Sequence, residues 1–147
     1  MVRQVASVHD VAAYILSKMG AMSAMKLQKL AYYSQAWHLV WEERPLFAAE
    51  IEAWANGPVV YDLYQRHRGS FSVHAWDGDK NALTPDEASS VDAVLASYGR
   101  RTAQELSEMT HRESPWRDAR AGIPDGSRSS EVITLAAMHE YYHGLSG

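Results

Sequence analysis

The chain has 147 residues, no cysteine, and 14 basic against 18 acidic side chains, for a formal net charge of -4. The missing cysteines rule out a thiol nucleophile, thiolate metal sites and a disulfide framework, and the acidic balance gives non-specific phosphate binding little to work with. Hydrophobic residues at 46% and a mean hydropathy of -0.35 fit a globular chain with its own core, and the length suits one domain over residues 1–147.

The first segment, "MVRQVASVHDVAAYILSKMG", carries an apolar run broken by Lys18. It is too short for a bilayer span and lacks the unbroken core of a secretion signal, so the expectation is a cytoplasmic protein with no membrane partner. Val11, Tyr14, Ile15 and Met19 share one face of a helix from about His9, and Gly20 ends it. Ser23 is a good N-cap for a second, longer helix over Ala24–Trp41. Its stripe is Leu27, Leu30, Ala31, Ser34, Trp37, His38 and Trp41, which places it at the centre of the core, and Pro45 requires it to end by Arg44. Tyr32 points away from that stripe.

Phe47–Trp54, "FAAEIEAW", alternates with a period of two and predicts a strand. "NGP" (56–58) marks a turn and sets Pro58 at the first position of a third helix, to about Arg68, with Val60, Leu63, Tyr64 and His67 on one side. "SFSVHAW" (70–76) reads as a short strand that pairs with the first. "TPDE" then supplies a capping box from Thr84 and Glu87 for a helix to Gly99, and "TAQE" repeats it with Thr102 and Glu105 for a helix to about Thr110. Ser114 and Pro115 open another brief helical turn. A loop follows, and a last helix is expected from about Ser130 to Tyr142, with Val132, Leu135, Ala136 and His139 on one face. The fold class is therefore mainly α: a compact single-domain helical bundle with a small two- or three-stranded β element.

Chemical motifs are sparse. "HEYYH" matches the H-E-x-x-H pattern, in which His139 and His143 would share a helical face for zinc and Glu140 would act as base. That makes a small metal-dependent hydrolase the alternative function. A zinc enzyme of this kind needs a third protein ligand, and a helix end with histidines suited to its negative pole explains the motif as well. No G-x-S-x-G, P-loop or G-x-G-x-x-G occurs, so no cofactor is expected. Residues 100–128 hold six arginines against five acids, a net of +1 in an otherwise acidic chain. The signs are interleaved, so a salt-bridged corner is expected rather than a nucleic-acid track.

"THRESPWRDAR" (110–120) is the densest charged stretch. Because Ser114 precedes proline, the helix before it must stop by Glu113, which makes His111, Arg112 and Glu113 a helix–helix corner. Ser114 is expected to cap the next turn and Trp116 to fold onto the core. Aromatic side chains are abundant, with Trp and Tyr both favoured at interface hot spots. Tyr32, Trp54, Asn56, Tyr61 and Trp76, with His111, Arg112 and Glu113, are the candidate partner-binding residues.

Three blocks carry a resemblance: "MKLQKLAYYSQAWHL", "PLFAAEIEAWANGPVVYDLYQ" and "LSEMTHRESPWRDAR". With the terminal helix they run from about Val8 to Tyr142, and together they resemble the Panacea domain family of SocA-like antitoxins, often encoded by phages and prophages. The fold-signature positions are Lys26, Leu27, Trp37, Gly57, Pro58, Tyr64 and Trp116. The resemblance implies an antitoxin rather than an enzyme, whose partner is a cognate protein toxin. In SocA-like members it also implies an adaptor that delivers the toxin to the ClpXP protease, through ClpX.

Overall fold

The computed structural model describes residues 6–146. The elements run α1 (Val8–Met19), β1 (Met22–Ser23), α2 (Ala24–Glu42), β2 (Ile51–Trp54), β3 (Gly57–Val60), α3 (Tyr61–His67), β4 (Ser72–Val73), α4 (Pro85–Tyr98), α5 (Ala103–His111), α6 (Ser114–Ala119), β5 (Val132–Ile133) and α7 (Leu135–Ser146). The chain is mainly helical, with one two-stranded sheet, β1–β4, and one three-stranded sheet in the order β3–β2–β5.

Helix α2 lies at the centre and packs against α1, α4, α5, α7 and β3. It is buried on nearly every side rather than along one stripe, so polar residues face the core too. Two of them, Gln28 and Gln35, satisfy backbone that helices and strands leave unpaired. Gln28 spans β3: its Oε1 accepts from Val60 N–H at 2.8 Å and its Nε2 donates to Val60 C=O at 3.1 Å. Two turns later Gln35 does the same for the irregular segment after α2, accepting from Leu46 N–H at 2.7 Å and donating to Phe47 C=O at 2.7 Å. Those bonds pin Leu46 and Phe47, both fully buried, against the helix. Burying a side chain such as Phe47 stabilises the fold by roughly 2–3 kcal/mol. Tyr32 is also inside, 1% exposed, while Trp41, at the end of the expected stripe, is 44% exposed.

The strand expected over Phe47–Trp54 covers only Ile51–Trp54, and the β elements depart from the sequence expectation in three further places. First, Pro58 lies in strand β3 and the helix starts only at Tyr61. Pairing puts Ala53 opposite Pro58 and Trp54 opposite Gly57, with Ala55–Asn56 as a two-residue turn. Ala53 N–H points the other way, to Glu131 C=O at 2.8 Å, so Pro58 sits at a position where the β2–β3 ladder asks for no donor. Second, the strand expected over 70–76 shortens to Ser72–Val73 and pairs with β1, not with β2. Third, Val132 and Ile133 form β5 against β2 instead of starting the last helix. Thr134 caps α7 by accepting from Ala137 N–H at 3.1 Å, and the buried face of α7 is Met138 and Tyr142, while Leu135 is 43% exposed. Both expected capping boxes, Thr84 with Glu87 and Thr102 with Glu105, are present.

Candidate partner-binding site

The β2–β3 hairpin tip is held by its main chain. Four consecutive carbonyls are taken by four side chains of α5, α6 and the residue after it. Arg120 donates to Ala53 C=O at 3.0 Å, Trp116 Nε1 to Trp54 C=O at 2.7 Å, His111 Nε2 contacts Ala55 C=O at 3.0 Å, and Ser107 Oγ donates to Asn56 C=O at 2.6 Å. The "THRESPWRDAR" corner is therefore a clamp on the hairpin. Its aromatic pair supports it: His111 and Trp116 pack with ring centroids 3.9 Å apart, and the Arg120 guanidinium lies 5.5 Å from the Trp116 ring. The second ring nitrogen of His111, Nδ1, lies 2.6 Å from Ser107 C=O. Carbonyl oxygens only accept, so a neutral ring donates to one of its two neighbours and a doubly protonated ring to both.

The turn rests on α2 as well as on the corner. Gly57 adopts φ +126, and a Cβ there would lie 2.6 Å from Lys29 Cε. Only glycine meets both conditions. Lys29 is 1% exposed, and its Nζ has no hydrogen-bond partner among the described residues. Burial lowers its pKa to about 8.

Outward from this frame runs an aromatic ridge. Trp54 meets Tyr64 at 4.7 Å and Tyr61 at 6.4 Å between centroids, Tyr64 meets His67 at 5.5 Å, and His67 meets Trp76 at 6.4 Å. Trp76 is fixed in turn by donating its Nε1 to His9 Nδ1 at 3.1 Å. Tyr61 and Asn56 are exposed, and Trp54, Tyr64 and Trp76 are half-buried.

The family model for the SocA-like antitoxin, Panacea domain, matches residues 27–117, more than half of the chain. The chain belongs to this family. Neither the curated proteins nor the solved structures compared with it gave a match. The matched span opens in α2 and closes in α6, so it holds both the hairpin and most of the corner that clamps it; α1 and α7 lie outside it.

Of the eight candidate partner-binding residues in this Panacea domain, the structure gathers four at the hairpin tip: Trp54, Asn56, Tyr61 and His111. Trp76 joins them through the ridge, and Arg112, the exposed cap residue of α5, stands beside His111. Two point elsewhere. Tyr32 is fully buried, because α2 has no solvent face at that point. Glu113 turns inward, where its Oε1 accepts from the Tyr33 hydroxyl at 2.7 Å and the Tyr142 hydroxyl at 2.8 Å, while Tyr32 and Tyr142 share a hydroxyl contact of 3.1 Å. Burial raises the Glu113 carboxyl above the ordinary range, against the lowering effect of those two donors. Glu113, not Ser114, is the N-cap residue of α6, and its side chain makes no capping bond because the tyrosines hold it.

The C-terminal histidines of the Panacea domain stack at 5.4 Å, and His139 Nε2 lies 3.6 Å from a Glu43 carboxylate oxygen. Among the described residues no group of three or more His, Asp or Glu side chains is placed to hold a metal. Of the arginines of 100–128, Arg120 is buried in the clamp and Arg117 contacts Asp118 at 3.5 Å. No described helix is long and apolar enough to cross a membrane.

Proposed function

We propose that this Panacea domain is a non-enzymatic antitoxin that binds a cognate protein toxin, neutralises it in the cytoplasm, and hands it to the ClpXP protease as an adaptor. It works as one domain and without a cofactor. The observation that carries the reading is the hairpin tip: half-buried Trp54 and exposed Asn56 and Tyr61 gathered around a turn whose main chain is held at four carbonyls. Rigid aromatic anchors bind with little ordering cost, and Trp and Tyr dominate interface hot spots. Trp54, Asn56 and Tyr61 form the centre of the contact face, with Trp76 and Arg112 at its rim and His111 behind it as support.

The test is co-expression with the product of the adjacent gene. The expected result is a toxic product, rescue by this chain, a stable complex, and loss of rescue with Trp54→Ala/Tyr61→Ala at unchanged melting temperature. Toxin that persists in a strain lacking ClpX confirms the adaptor role. A harmless neighbour that forms no complex refutes the antitoxin reading.

A further inference from the structure

The two edges of the three-stranded sheet are finished differently. At the β3 edge, Pro58 has no N–H, and both backbone groups of Val60 are taken by Gln28. The β5 edge has no such cover. Ala53 N–H bonds Glu131 C=O, and Ile51 stands opposite Ile133, so by the antiparallel alternation Val132 between them turns its N–H and C=O away from β2. Its side chain is 40% exposed. This edge borders a groove of about 610 Å³, floored by Val132 and Ile133 and walled by Pro115 and Asp118 of α6 and by Glu140 and Tyr141 of α7. Each helical wall contributes one carboxylate, and no basic residue lines the groove. Arg117 contacts Asp118 at 3.5 Å, but both side chains are largely in solvent, so an incoming cation can displace it.

We propose that this groove takes an extended, cationic and apolar segment of the protein partner, which adds to β5 as a further strand; the proposal rests on the reading of the chain as a toxin-binding protein. Main-chain bonds to Val132 set the register of the added strand. Its apolar side chains cover Val132 and Pro115, and its Lys or Arg side chains meet Asp118 and Glu140. The acidic groove and the net charge of -4 favour such a segment over an acidic or neutral one.

The test uses the full chain and the toxin that co-purifies with it. Two variants attack the contact independently: Val132→Pro removes a donor that β5 does not use for β2, and Asp118→Lys/Glu140→Lys reverses the groove charge. Each is expected to weaken the complex roughly tenfold or more, with melting temperature unchanged. In the wild-type complex the Val132 amide is expected to become protected from hydrogen exchange, read by NMR; this readout and the charge reversal decide the matter if Val132→Pro folds poorly. Unchanged affinity in the charge-reversed variant together with an unprotected Val132 amide overturns the groove while leaving the antitoxin reading intact. If the wild-type chain neutralises no toxin, both readings fall.

Discussion

Gly57 and Lys29 approach so closely that a Cβ on residue 57 would meet Lys29 Cε at 2.6 Å and Nζ at 3.2 Å. Lys29 is enclosed and cannot swing aside. Gly57→Ala therefore combines a strained positive φ with a clash, and an unfolding free energy lower by about 2–4 kcal/mol is expected. Urea denaturation checks it; a loss below about 0.5 kcal/mol would show that the hairpin can ride away from α2.

Lys29 also makes stability depend on alkaline pH. Its folded pKa of about 8 lies below the ordinary lysine value of 10.5. Below pH 8 the charged amine is carried in both states and the burial penalty is fully present. Between pH 8 and 10.5 only the unfolded chain keeps the proton, so stability rises with pH, by up to about 3 kcal/mol. Burial raises the pKa of Tyr32, Tyr33 and Tyr142, so above pH 10 the unfolded chain ionises first and stability falls again. Lys29→Met is expected to be more stable than the native chain at pH 7 and to lose the rise between pH 8 and 10, as measured by denaturation at stepped pH.

Glu113 behaves in the opposite sense. Its folded pKa is raised, so its contribution is fully present below the ordinary carboxyl value of 4.5 and is lost as pH climbs through the folded value. Glu113→Gln keeps an acceptor for Tyr33 and Tyr142, and its stability at pH 7 is expected to equal or exceed that of the native chain. Glu113→Ala strands the Tyr33 hydroxyl and leaves Tyr142 only its contact with Tyr32, and is expected to cost about 1–3 kcal/mol. Thermal melts of the two variants separate the outcomes, and equal losses would sink this account of the carboxylate.

Arg120 is the most connected part of the clamp, reaching the carbonyls of Ala53 at 3.0 Å, Pro124 at 3.2 Å and Ser127 at 2.7 Å. A lysine ammonium cannot reproduce that planar fork. Arg120→Lys is expected to lower stability by about 2 kcal/mol and to speed hydrogen exchange at residues 53–57 specifically. Uniform acceleration across the chain would instead point to a general loss of packing.

Helices with local signals were legible in the sequence. Thr84, Thr102, Pro85 and Pro115 announced α4, α5 and α6 because capping depends on neighbours within one turn. The clamp was not legible, since its partners lie more than 50 residues apart: His111 with Ala55, Trp116 with Trp54. The residue types were right for a corner, but nothing local shows that they bind main-chain oxygens. Pro58 misled because its placement at a helix start and at an edge strand share the same missing donor. Tyr32 misled because a single stripe was assumed for α2; Gln28 and Gln35, two turns apart inside an apolar run, were the available sign that the helix is surrounded. Val132 and Ile133 are too short a pair to stand out from the helix that follows.

The clamp reads no side chain of the hairpin tip, because every bond it makes is to a peptide oxygen. Residues 55 and 56 can therefore be exchanged for others while the peptide groups keep their places. The shape of the tip and the letters written on its turn are thus set independently, and a lineage can rewrite the second without disturbing the first.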